Sequence, residues 1–199
     1  MTRMLIAIEG PKAVGKTTIC GALGRRLAAD NLRNCVVLTK EPTAGFNLAQ
    51  ETRISGFDLA RAIADDRAIH LREVITPALG SGKVVICDRY ILSSLVFHGA
   101  DGVPAERIWR LNQDFPLPDL NLLVTADADV LLARRAAREA PTRLEAARHP
   151  ADELADYARY AEAMQIRGVK RISVDNTRDG DLANAVNSIV EIVAKAAQS

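Results

Sequence analysis

The chain has little that would commit it to a charged or an apolar partner. Its 26 basic and 25 acidic residues leave a net charge of +1 over 199 residues. No global field therefore marks it for a nucleic-acid polymer or a membrane surface, and any anion must be met by a local site. The three cysteines, Cys20, Cys35 and Cys87, lack metal-ligand spacing. They read as small apolar side chains in a reducing cytoplasm, not as ligands, disulfides or nucleophiles. None of the histidines has a second donor at ligand spacing, so a structural zinc site is not expected. The first apolar run, Met4 to Ile8, is too short for a signal peptide or a membrane span. Internal repeats, low-complexity tracts and linkers are missing too. What is present is 48% hydrophobic residues, material for one core that buries roughly 70% of the unfolded surface. One domain over 1–199 is expected.

Short apolar runs alternate with longer amphipathic ones, the pattern of an α/β fold with a parallel sheet and helices on both faces. Candidate strands are Met4 to Ile8, Cys35 to Thr39, Val84 to Cys87, Leu120 to Thr125 and Val169 to Val174. Each is read as nearly continuous in apolar residues, as a strand covered on both faces should be. Candidate helices are Thr17 to Ala29, Leu59 to Leu79, Pro104 to Asp114, Ala128 to Arg138, Ala151 to Ile166 and Asp181 to Ala197. Right-handed crossovers bring all strand C-termini to one edge, where open sheets of this kind bind ligands.

At the first of those ends, Gly10-Pro11-Lys12-Ala13-Val14-Gly15-Lys16-Thr17 matches G-x-x-x-x-G-K-[ST] between a strand and a helix. The glycines let the backbone curl so that successive N–H groups point at phosphate oxygens, and the following helix adds its positive end. The triphosphate site is expected on Gly10, Lys12, Ala13, Val14, Gly15, Lys16, Thr17 and Thr18. Lys16 would neutralise β- and γ-phosphate charge, and the Thr17 hydroxyl would ligate Mg²⁺. The second strand runs into Lys40-Glu41-Pro42 and the third into Asp88-Arg89-Tyr90, with Asp127 just past the fourth. Asp88 can hold Mg²⁺ through water, and Arg89 can fork onto a phosphate.

These residues together resemble the thymidylate kinase family almost end to end. The likeness rests on the phosphate loop, Lys40-Glu41-Pro42, Ala64-Asp65-Asp66-Arg67-Ala68-Ile69-His70, Asp88-Arg89-Tyr90 with Ser93-Ser94, Pro118-Asp119-Leu120 and Arg143-Leu144-Glu145. The resemblance implies a P-loop NTPase fold with a five-stranded parallel sheet, phosphoryl transfer from MgATP to dTMP giving dTDP, and a homodimer. It also implies roles. Arg67 and Arg89 would grip the acceptor phosphate, with Lys40 and Arg53 near it. A lid at about 139–150 would close over ATP and bring Arg138 and Arg143 to the phosphates, while Arg134 and Arg135 read equally well as a solvated helix face. Pro141 would let that segment leave the helix and hinge.

Departures from the family pattern cluster on the acceptor side. Lys12 stands where an acidic residue usually meets the sugar 3′-hydroxyl, Ile63 where a Phe usually stacks on thymine, and Phe97-His98 where Tyr-Gln is common. A base stacked on an aromatic gains roughly 1–3 kcal/mol, so Ile63 should weaken the grip on a pyrimidine unless Phe97 or Phe57 compensates. Lys12 can instead stand in for a lid arginine.

A phosphate acceptor is already deprotonated near neutral pH, so the enzyme has to supply charge and alignment, not a strong base. An alternative keeps the loop but takes a nucleoside, an unusual nucleotide or another hydroxyl acceptor, with Glu41 as general base. The remaining candidates carry less. His70 reads as packing or as a hydrogen-bond partner behind the site, His149 as solvated and His98 as a substrate contact. Tyr157 and Tyr160 read as core before ligand contacts, and Trp109 as core or dimer surface.

Overall fold

The computed structural model describes residues 3–47, 49, 52–138, 143, 148–178 and 181–198. Five parallel strands form one sheet: β1 (Met4–Glu9), β2 (Val36–Lys40), β3 (Val84–Asp88), β4 (Leu120–Thr125) and β5 (Lys170–Asp175), in the order β2-β3-β1-β4-β5. β1 is central, with Ile8 opposite both Asp88 of β3 and Leu122 of β4. The chain crosses from β1 outward to β2, returns to insert β3 between them, and then leaves on the other side. That reversal opens a crevice at the carboxyl ends of β1 and β3.

Alternation along β1 divides the core. Leu5 and Ala7 face a cluster with Val85, Cys87 and Leu123, covered by α4 (Ile91–Ala100) and α7 (Pro150–Ile166). Ile6 and Ile8 face the other cluster, with Ile86, Leu122 and Val124, covered by α1 (Lys16–Ala29) and α8 (Asp181–Gln198). In α1, Ile19, Leu23 and Leu27 recur every four residues and are all buried, the stripe that seats a helix on a sheet. The edge strands differ from the expected continuous apolar run. β2 is half-buried and β5 alternates between exposed and partly buried residues, because an edge strand is covered less completely than a central one.

The helix expected over Leu59 to Leu79 is continuous but not uniform. It comprises α2 (Gly56–His70), a π-helical turn (Leu71–Ile75) and α3 (Thr76–Gly80). Asp66, Arg67 and His70 lie on the buried face of α2, which turns charged groups inward at the end of β2. Helices α5 (Ala105–Leu111) and α6 (Ala128–Ala136) complete the order. Helix α4 is an element missing from the sequence reading. Six of its ten residues from Ile91 to Val96 are buried, together with His98, so it carries no one-sided stripe to detect. Asp119, of the Pro118-Asp119-Leu120 motif, ties β4 to β1: its Oδ2 accepts from Leu5 N at 2.7 Å.

Candidate active site

The loop between β1 and α1 is shaped by backbone that only glycine tolerates. Gly10 has φ +143°, and a Cβ there would lie 2.2 Å from the Val124 carbonyl oxygen. Gly15 has φ +107°, and a Cβ would lie 2.6 Å from Asn176 Nδ2. Asn176, just past β5, donates from Nδ2 to Val14 O at 2.8 Å and from its backbone N to Thr125 O at 2.7 Å. Arg134 in turn donates to Asn176 O at 2.9 Å. Asn176 thus fastens the loop to the far side of the sheet. Sequence reading missed it; its place at a strand end was the available signal.

A cleft of about 200 Å³ opens over this loop, lined by Lys12, Ala13, Gly15, Lys16, Thr17, Thr18, Asp88, Arg89 and Arg138. Four cations face one carboxylate, the composition of a polyanion site. Lys16 folds inward, donating from Nζ to Gly10 O at 2.8 Å and Pro11 O at 2.7 Å. Burial, helped by the Arg89 charge, lowers its pKa to about 7 against the pull of Asp88, Glu9 and Glu153. An incoming phosphate would reverse that shift, since an anion favours the charged amine. Thr17 is exposed at the head of α1. Asp88 Oδ1 is buried and has no hydrogen-bond partner. Two hard oxygen donors on one cleft, one of them orphaned, fit Mg²⁺ and its retained waters.

Arg89 reaches the cleft from a strained backbone, φ +70°, a conformation that costs a non-glycine residue on the order of 1–3 kcal/mol. Its guanidinium lies 4.9 Å from the Phe97 ring centre and donates to Tyr157 Oη at 3.2 Å, with Ser93 Oγ at 3.4 Å. Phe97 meets Tyr157 edge to face at 6.5 Å. Tyr157 is thus core and site at once, buried yet touching Arg89. Glu9, fully buried at the end of β1, accepts from Tyr90 N at 2.9 Å and Ser93 Oγ at 2.5 Å. Burial raises its pKa, against the opposing bond from Ser93 and charge of Arg89.

Arg67 is placed differently from Arg89. It is 1% exposed and does not line the cleft. Its Nε and Nη2 both reach Glu41 Oε2 at 2.7 Å, Nη2 also donates to Ser94 Oγ at 3.0 Å, and Nη1 donates to Asn112 Oδ1. The guanidinium lies 5.0 Å from the Tyr90 ring centre. Burial opposes this cation, but the charge and hydrogen bond of Glu41 more than offset it. The Glu41 Oε1 meets His70 Nδ1 at 3.0 Å, and His70 Nε2 meets Thr39 Oγ1 at 2.6 Å. Next to them, Asp66 accepts from Thr43 N and Thr43 Oγ1. Both oxygens of Glu41, the base of the alternative reading, meet buried side chains, Oε2 at Arg67 and Oε1 at His70, and Glu41 does not line the cleft. The two arginines reach adjacent serines, Ser93 and Ser94, but they do not share one phosphate-facing surface.

The other acceptor candidates are more loosely assembled. Lys40 and Arg53 are exposed and do not line the cleft. Ile63 is half-buried on α2, one turn before Arg67. His98 is buried, its Nδ1 has no partner, and burial together with the Arg67 charge lowers its pKa to about 4. Phe57 lies under Arg107 at 3.7 Å and Trp109 under Arg167 at 4.3 Å. On the lid side, Arg138 lines the cleft, but Arg143 sits elsewhere. It donates to both oxygens of Asp101 at 2.7 and 2.9 Å. The rest of the expected lid, including Pro141, lies largely outside the described residues. His149, expected to be solvated, caps α7 by accepting from Ala151 N at 3.2 Å. Arg135 and Glu153 pair across α6 and α7, so Arg135 is not a free surface charge. Cys87 is buried, Cys20 and Cys35 are half-buried, and all three are free thiols.

Comparison with known proteins adds the family. A family model described as thymidylate kinase matches residues 8–179. A thymidylate kinase of Xanthomonas campestris pv. campestris (strain B100) is 35% identical over 198 residues, covering 96% of this chain and 85% of that protein. One from Xanthomonas oryzae pv. oryzae (strain PXO99A) is 40% identical over 149 residues, 71% of this chain and 65% of that one. Among solved structures, thymidylate kinase from Ehrlichia chaffeensis superposes with a TM-score of 0.69 at 21% identity, covering 97% of this chain and 100% of that chain, a likeness of fold.

Proposed function

Because the chain belongs to the thymidylate kinase family, we propose that it transfers the γ-phosphoryl group of ATP to dTMP, giving dTDP and ADP. The observation that carries this reading is the cleft in which Lys12, Lys16, Arg89 and Arg138 converge over a glycine-shaped phosphate loop, beside Asp88.

The chemistry asks for neutralisation and alignment. Lys16 exchanges its two carbonyl contacts for phosphate oxygens of the donor and is held charged by them. Arg89, which lines the cleft with its guanidinium 4.9 Å from the Phe97 ring centre, takes the acceptor phosphate. Lys12 and Arg138 add positive charge where the transferring group accumulates negative charge. No general base is required, since the attacking oxygen belongs to a phosphate monoester. Thr17 and, through water, Asp88 would hold Mg²⁺, which would supply further neutralisation of donor phosphate charge. Arg67 acts behind this surface, fixing Ser94, Asn112 and Glu41 in the acceptor half.

We further propose a homodimer and a cytoplasmic enzyme, as the family resemblance implies. Ile69 and Val74, on the helix from Gly56 to Gly80, are exposed at 47% and 36% and offer apolar surface to a second copy. Among the described residues, no helix is long and apolar enough to cross a membrane.

The test is a panel of nucleoside monophosphates and nucleosides with MgATP, scoring ADP released per acceptor. Turnover with dTMP well above that with thymidine is expected. Turnover with thymidine alone would replace this reading by a nucleoside kinase.

A further inference from the structure

The carboxylate of Glu9 stands one residue before the phosphate loop, yet its side chain makes no contact with that loop among the hydrogen bonds of the described residues. It crosses to the turn between β3 and α4. There Oε1 accepts from the backbone N of Tyr90 and Oε2 from Ser93 Oγ. Tyr90 is the residue that caps α4, and Ser93 lies in its first turn. A fully buried side chain from a distant strand thus accepts from the capping residue's backbone N–H and from a hydroxyl in the first turn of the helix.

Immediately before this clamp lies Arg89, with φ +70°. Its backbone is held on every side: Arg89 N donates to Ile8 O at 3.0 Å, Cys87 Sγ donates to Arg89 O at 3.0 Å, and the next peptide N–H is the one bound by Glu9. A left-handed conformation at a non-glycine residue persists only where surrounding contacts over-determine it. Its side chain is held by the same group of atoms, because Ser93 Oγ touches Glu9, Arg89 and Tyr157 Oη together.

We propose that Glu9 is a positioning residue for the acceptor phosphate: through Tyr90 N and Ser93 Oγ it fixes the strained turn that aims Arg89 into the cleft. This rests on the acceptor role given to Arg89 above. Glu9 touches neither substrate, and its effect passes through Arg89. Gln at this position can keep both bonds, accepting from Tyr90 N and donating to Ser93 Oγ. Ala keeps neither.

The experiment is a double-mutant cycle between Glu9→Ala and Arg89→Ala, with Glu9→Gln as rescue, reading KM for dTMP and for ATP separately. Glu9→Ala should raise KM for dTMP about tenfold, the factor that corresponds to about 1.4 kcal/mol, and leave KM for ATP within about twofold. On the Arg89→Ala background it should add less than about twofold, and Glu9→Gln should restore most of the wild-type value. A purely structural role would disturb the adjoining phosphate loop first. Equal rises in both KM values, or a full additive loss on the Arg89→Ala background, would overturn the proposal. Should Glu9→Ala not fold, Ser93→Ala removes one of the two clamp bonds and should still raise KM for dTMP selectively; an unchanged dTMP KM would overturn it equally. Failure of the wild-type enzyme to turn over dTMP at all would instead refute the acceptor reading, so the two failures are separable.

Discussion

Replacing Glu41 by Gln tests whether the buried pair at the end of β2 is structural or catalytic. Glu41 is 5% exposed and Arg67 1%. With the carboxylate replaced by an amide, Arg67 keeps only neutral partners, the Gln carbonyl oxygen, Asn112, Ser94 and the Tyr90 ring. A buried charge left without its counter-charge costs about 3–5 kcal/mol. For a domain of this size each kcal/mol moves the melting temperature by about 2–4 °C, so Glu41→Gln should melt roughly 6–20 °C lower. Glu41→Gln combined with Arg67→Met removes both charges and should recover at least half of that loss. The assay is thermal unfolding by circular dichroism at fixed protein concentration and pH, with turnover measured at a temperature where the variant is folded. Loss of a general base would cost about a hundredfold or more in rate. We therefore expect kcat of folded Glu41→Gln to stay within about tenfold of wild type. An unchanged melting temperature with a rate loss above a hundredfold would refute the structural role and revive the hydroxyl acceptor.

Other expectations concern the loop and the acceptor half. In the free enzyme Lys16 loses its proton above about pH 7, whereas bound phosphates keep it charged. In a pH series, kcat/KM for ATP should accordingly fall about tenfold per pH unit above that point while kcat at saturating ATP changes little; parallel profiles would contradict this. Gly10→Ala drives a Cβ into the backbone oxygen of Val124, while Gly15→Ala meets the side chains of Asn176 and Leu182, which can move. Thermal unfolding should therefore show Gly10→Ala as the more damaging, by roughly 2 kcal/mol or more, and equal losses would be against it. Ile63→Phe restores a ring one turn before Arg67 and should lower KM for dTMP by about 1–3 kcal/mol in free energy, at least fivefold; an unchanged KM would show that the base lies elsewhere.

How far the sequence discloses the molecule depends on whether a feature is local. β1, β3 and β4 were readable because strands buried on both faces are apolar almost throughout, with Asn121 the one polar break inside β4, and the phosphate loop because its chemistry demands glycines at set positions. Helix α4 was not, since a helix buried nearly all round has no periodic face. Arg89 could be placed from its strand end. Arg67 was legible as a site residue by resemblance, but its partners Glu41, Ser94 and Asn112 lie 26, 27 and 45 residues away, and pattern at short range says nothing about such pairings. Glu9 left a faint signal, a carboxylate closing an apolar strand, whose meaning appears only when β3 and α4 are set beside it.

The most direct measurement follows the phosphoryl group itself. Phosphorus NMR of dTMP, MgATP and enzyme should show dTDP and ADP rising together in equal amounts, with inorganic phosphate at the level of an enzyme-free control. ADP matched by inorganic phosphate, with dTMP unchanged, would contradict transfer between two phosphates held over this sheet edge.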